Sequence, residues 1–127
     1  MLERGDQVPH FEVTDTAGTT ARYAALWQQR NLLLVVLPPD GSETARRYDS
    51  GVRERAPELR GLNAAFVITR DPVEGLPAPG ALVADQWGEI AHVATARSVA
   101  ELPEFEDLRE WLEWVQSRCP ECEGEAK

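Results

Sequence analysis

The sequence is poor in several things, and each shortage narrows the possibilities. Cysteine occurs twice in 127 residues, as Cys119 and Cys122, so residues 1–118 contain no thiol at all. A chain of this length buries roughly two thirds of its unfolded surface and does not need disulfide staples. Lysine occurs once, at Lys127, and basic residues are outnumbered 13 to 22 by acidic ones, for a net charge of −9. Phosphate backbones demand concentrated positive charge, so nucleic acid is not an expected partner. The longest apolar run, Leu32 to Pro39, is strand-sized and far short of the ~20 residues of a membrane span. The segment Met1 to Asp6 lacks a basic stretch followed by an apolar one. No signal peptide and a cytoplasmic location are therefore expected. Glycine-rich phosphate loops, a Ser–His–Asp arrangement and a basic aromatic platform are also missing.

What is present is a globular composition, 43% hydrophobic and 28% charged, with the length of one domain. Phe11 to Thr14 alternates apolar and polar residues, the pattern of a half-buried strand. Asp15-Thr16-Ala17-Gly18 is a turn signal. Thr19 to Arg22 reads as a returning strand and Tyr23 to Gln28 as a short helix. Leu32 to Leu37 is apolar at every position, which predicts a central strand buried on both faces, and Pro38-Pro39 ends it.

A helix follows, capped by Ser42 or by Asp40 with Glu43. Its apolar stripe is Ala45, Tyr48, Val52, Ala56 and Leu59, and Pro57 should end it nearby. Ala64 to Thr69 is a second buried strand, giving a βαβ unit with parallel strands. After a proline-rich loop from Arg70 to Pro79, Gly80 to Ala84 and Glu89 to Val93 form a hairpin around Asp85 to Gly88. Ser98 and Glu101 offer a capping box, and Pro103 suits the first turn of a last helix. That helix buries Phe105, Leu108, Trp111, Leu112 and Val115 and leaves Trp114 more exposed. The acidic residues Glu101, Glu104, Glu106 and Asp107 suit the positive end of its dipole.

This order of elements resembles the redoxin branch of the thioredoxin fold, which includes peroxiredoxins of the alkyl hydroperoxide reductase and thiol-specific antioxidant type. Three segments carry the likeness. They are Gly5 to Phe11 with Asp15 and Gly18, the all-apolar strand running into a helix start, and Pro79 to Ile90, similar to the cis-proline strand and hairpin of that family. The resemblance implies an α/β thioredoxin-like domain over residues 1–118, with a mixed sheet of 4–6 strands and flanking helices. A tail with Cys-Pro-Glu-Cys occupies residues 119–127. It also implies a reactive cysteine at the start of the helix after the central strand, where the dipole favours a thiolate. Here Ser42 and Ala45 occupy those positions, opposite Pro79. A serine hydroxyl cannot carry out thiol exchange, so a non-catalytic binding or adaptor role is expected.

Other readings stay open. Cys119 and Cys122 could form a catalytic dithiol for disulfide or peroxide reduction. They could instead be half of a zinc site, completed by His10, His92, carboxylates or a second subunit. They could also be inert. No cofactor is required by the first reading, and zinc belongs only to the metal reading. Each histidine is expected to be an ordinary surface or half-buried side chain. The family's helix before the cis-proline strand is missing here. One sheet face is then expected to be covered by a second copy of the chain, with Trp27, Trp87 or Trp114 as anchors, unless the N-terminal hairpin and short helix suffice.

Overall fold

A computed structural model describes residues 1–118. Strands β1 (Glu12–Thr14) and β2 (Thr20–Arg22) form a small antiparallel hairpin. Its turn is built as the sequence predicts: the Asp15 carboxylate accepts the Ala17 and Thr19 N–H groups at 2.9 and 3.1 Å, and Gly18 takes φ 92°. Helix α1 spans only Tyr23–Leu26. The expected extension stops because Gln28 adopts φ 68° and donates its N–H to the Gln86 carbonyl instead of continuing the helix.

The main sheet contains β3 (Asn31–Val36), β4 (Ala64–Thr69), β5 (Gly80–Ala84) and β6 (Ile90–Thr95), in the order β4-β3-β5-β6. β3 and β4 are parallel, and β5 runs antiparallel to both β3 and β6, so the sheet is mixed. All six residues of β3 are buried, as an apolar strand with two covered faces requires. Helix α2 (Glu43–Arg55) passes into a short 3-10 turn at Ala56–Leu59, where Pro57 interrupts the α-helical hydrogen bonding. Helix α3 (Phe105–Ser117) closes the described chain. No helix lies between β4 and β5, as expected from the loop-like Arg70 to Pro79 stretch.

Each sheet face has its own core. Leu33, Val35, Ile68, Ala81 and Val83 pack against α2 and α3 through Ala45, Val52, Leu108 and Leu112. Leu32, Leu34, Val36, Val67 and Leu82 face the other way and meet Val8, Phe11, Val13, Tyr23, Val73 and Leu76. At roughly 25 cal/mol per Å² of apolar surface, both layers supply substantial driving force.

The second core corrects one expectation. The face without a helix is covered by the chain's own entry segment, hairpin and proline-rich loop, so a second copy is not needed to bury it. Val73 and Leu76, in the loop that replaces the helix, join Val8, Phe11, Val13 and Tyr23 in the covering.

Three smaller corrections concern the last helix. Ser98 makes no side-chain cap, and Glu101 instead accepts the Arg97 N–H at 3.0 Å. Pro103 lies just ahead of the helix, whose N-cap is Glu104. Trp114 is half-buried, as is Trp111, because both pack on the edge of the first core and against each other.

Candidate functional site

The two ends of the sheet carry different chemistry. At the first end, Leu37 leaves β3 still bonded to the Thr69 carbonyl at 2.8 Å, and Pro38-Pro39 turns the chain toward α2. The Asp40 carboxylate accepts the Ser42 N–H at 3.0 Å, and Ser42 Oγ accepts the Ala45 N–H at 3.2 Å. Ser42 is therefore the N-cap of α2, and the Ala45 methyl is fully buried beneath it. Across the sheet, β5 starts directly after a cis Ala78–Pro79 bond, and Val36 pairs with Gly80. The serine-led helix start and Pro79 thus share one end of the sheet, as the resemblance implies.

At the same end of the sheet, on the face away from α2, lies a cavity of about 650 Å³ lined by Met1, Pro39, Val36, Val73, Leu76 and Ala78, among others. Gly80 allows the chain to close here, because a Cβ at that position would run into the Pro77 carbonyl oxygen and reach 2.9 Å from the Leu76 side chain. Arg70 also lines the cavity. Its Nε is buried without a hydrogen-bond partner among the described residues. Sequence reading passed over Arg70. The available signal was a lone cation at the C-terminal end of an apolar strand, a place where α/β sheets often hold ligands.

The opposite end holds the tryptophans. Trp27 Nε1 donates to the Trp87 carbonyl at 3.1 Å, and His10 meets Tyr23 and Trp27 edge-on at 5.4 and 5.1 Å. Tyr23 is wholly buried, its hydroxyl has no hydrogen-bond partner among the described residues, and burial followed by the negative charge of Asp85 pushes its pKa up to about 12. His92 stacks flat on Trp111, 4.7 Å between centroids and 7° between planes. Trp111 meets Trp114 edge-on at 5.6 Å. The guanidiniums of Arg4 and Arg118 lie 5.3 and 4.3 Å from the Trp114 ring. Burial is the main cause holding the His92 pKa below its ordinary value, opposed by Asp107 and aided by Arg4. A second cavity, about 420 Å³, is lined by Arg4, Gln7, Asp85, Trp87, Trp114 and Arg118.

Cys119 and Cys122 lie outside the described residues. Arg118, which precedes Cys119, is at the tryptophan end: Asn31 Nδ2, at the start of β3, donates to Gln116 Oε1 at 2.9 Å. The structure therefore brings Ser42, Ala45 and Pro79 together, and it places the chain leading to the cysteines at the far end of a strand roughly 20 Å long. His10 is exposed and His92 half-buried, both engaged with aromatic rings as ordinary side chains. Among the described residues no group of three or more His, Cys, Asp or Glu side chains is arranged to hold a metal ion. None of their helices is long and apolar enough to cross a membrane.

No family model matches the sequence, and no curated protein matches it. Solved structures do match. Peroxidoxin BcpB from Mycobacterium tuberculosis superposes with a TM-score of 0.68 at 16% identity, covering 91% of this chain and 99% of that one. Mycobacterium tuberculosis AhpC gives 0.71 at 13% identity, with 95% and 98% covered. The reduced 2-Cys peroxiredoxin of Plasmodium vivax gives 0.73 at 10% identity, with 90% and 82% covered. The fold of this chain is the thioredoxin-like α/β fold seen in peroxiredoxins, with serine and alanine at the start of the helix after its central strand.

Proposed function

We propose that this chain is a non-catalytic binding or adaptor protein built on a redoxin scaffold. The observation that carries this reading is the start of α2. Ser42 is engaged as a helix cap, Ala45 is buried, and neither supplies a thiol. Fold alone does not transfer activity, so the peroxiredoxin likeness supports the scaffold and not the reaction. The cavity beside Pro39 and Ala78 then serves to bind a ligand without turning it over. A cytoplasmic setting and self-association belong to the same reading. Trp27 and Trp87, 36% and 37% exposed, are the anchors for self-association, at the tryptophan end instead of on the covered sheet face.

The test is peroxide consumption and insulin-disulfide reduction by the full chain, beside Cys119→Ser and Cys122→Ser variants. The expected result is no turnover above the reductant alone in any of the three. Turnover that disappears with Cys119→Ser would establish an enzyme instead. A thiol–disulfide oxidoreductase or peroxide reductase using Cys119 and Cys122 is the alternative that such turnover would support. Zinc held by the same two thiols across a dimer would appear as about half an equivalent of metal per chain, since four thiols from two chains complete one structural site.

A further inference from the structure

An aspartate side chain rearranges where the amide nitrogen of the next residue is free to reach its carboxyl. The sequence has a single Asp-Gly pair, Asp40-Gly41, in the turn between Pro38-Pro39 and α2. Asp40 is exposed. Its carboxylate accepts the Ser42 N–H at 3.0 Å, so the side chain is turned back along the peptide that contains the Gly41 nitrogen. Gly41 has no Cβ to hinder that nitrogen, and at φ 66° it holds a left-handed conformation that suits glycine. A Cβ built there would meet nothing within 4 Å, so the space around the turn is open. The Gly41 N–H donates no hydrogen bond of ordinary geometry among the described residues, so freeing its nitrogen sacrifices none.

The other aspartates lack this combination. Asp71 precedes Pro72, which has no N–H. After Asp15, Thr16 gives its N–H to the Ile68 carbonyl at 2.7 Å. Asp49 and Asp107 lie inside α2 and α3. Asp6 and Asp85 precede glutamines, and their carboxylates are held by the Glu3 and Trp87 N–H groups at 2.9 Å each.

We propose that Asp40 is a modification site, isomerising spontaneously to isoaspartate. The Gly41 nitrogen attacks the side-chain carbonyl carbon of the protonated Asp40 carboxyl. A C–N bond forms, the carboxyl hydroxyl leaves with the amide proton as water, and a five-membered succinimide results. Water then adds to one of the two ring carbonyls, and the C–N bond to that carbonyl breaks. Opening at the main-chain carbonyl gives isoaspartate, with the chain running through the former side-chain carboxyl and a free α-carboxylate beside it. Nothing is oxidised or reduced, and the mass returns to its starting value. The product lengthens the turn between β3 and α2 by one backbone carbon and ends the present Asp40–Ser42 hydrogen bond. This inference concerns the chain itself and does not depend on the binding reading.

The experiment is prolonged warm incubation of the full chain at mildly acidic pH. Digestion and mass spectrometry with electron-driven fragmentation then separate isoaspartate from aspartate at equal mass. Isoaspartate should accumulate at Asp40 before any other aspartate, and a peptide lighter by one water should mark the succinimide there. Asp40→Asn is the positive control: at neutral pH it should form the same ring faster, with ammonia as the leaving group. Asp40→Glu should form no such product at this position, since its ring would need six members. The proposal is overturned if another aspartate isomerises while Asp40 stays unchanged. It is overturned equally if Asp40 is intact when Asp40→Asn has converted fully, or if Asp40→Asn itself fails to convert.

Discussion

The two ends of the β-sheet differ in what their polar groups do. At the cis-proline end the polar groups of the helix start are spent on backbone geometry: Asp40 on Ser42, Ser42 on Ala45, and Arg46 on the Gly41 carbonyl at 2.7 Å. Arg70 lines the neighbouring cavity, and its buried Nε has no partner among the described residues. At the tryptophan end the side chains are engaged with one another as rings and cations, and all four tryptophans gather there. The first end is a hollow with mostly apolar walls. The second is a surface of stacked rings. The apolar hollow and the aromatic surface are thus separate features of the molecule.

Substitutions can break this contrast, and the largest effect should come from closing the hollow. Gly80→Val places branched carbon where the Pro77 carbonyl oxygen and the Leu76 side chain already sit. Overpacking of this kind costs about 1–3 kcal/mol or more. Urea unfolding should report that loss, and an unchanged midpoint would mean that the loop around Pro77 yields to the added carbons. The tryptophan end offers a counterpart. Asn31 is 2% exposed and its amide donates both to the Leu62 carbonyl at 2.8 Å and to Gln116. Asn31→Ala strands both acceptors and should cost about 1–3 kcal/mol. The same urea unfolding should report it, and an unchanged midpoint would mean that both acceptors find other donors.

A smaller effect separates capping from chemistry. Ser42→Ala removes one hydrogen bond to the Ala45 N–H and should lower stability by about 1 kcal/mol. If Ser42 only caps the helix, Ser42→Asp should restore most of that stability, since aspartate caps equally well. Loss of an activity in Ser42→Ala that Ser42→Asp does not restore would contradict the capping role.

Much of the cis-proline end was legible in the sequence because local rules determine it. An all-apolar strand followed by Pro38-Pro39 and Ser42 leaves few alternatives, and Pro79-Gly80 ahead of an apolar run matched a known pattern. The covering of the second sheet face was not legible. It depends on Val73 and Leu76, two apolar residues in a proline-rich loop with no periodicity to mark them. Arg70 was missed for the same reason: its isolation comes from which long-range neighbours are absent. The extra exposure expected for Trp114 failed because helical spacing shows which side of α3 faces the sheet, but not that Arg4 and Trp111 pack around that ring.

The weakest of the expected effects concerns pH and sharpens the tryptophan end alone. His92 has its pKa held below 6.5, chiefly by burial against Trp111, so the folded protein prefers the neutral ring. The unfolded chain therefore binds a proton more readily than the folded one as pH falls through 6.5. The stability contributed by the neutral ring is fully present above that pH and is lost as pH falls through the lower, folded value. Melting temperatures measured from pH 8 down to pH 5 should decline for the wild type. His92→Phe keeps a ring on Trp111 and removes the titration, so its decline should be shallower over the same interval. Tryptophan fluorescence should follow the same step in the wild type, because protonation places a cation on the Trp111 face. Parallel curves for the two proteins would show that the stacked imidazole is not the group that titrates, and that the aromatic end senses pH through its carboxylates.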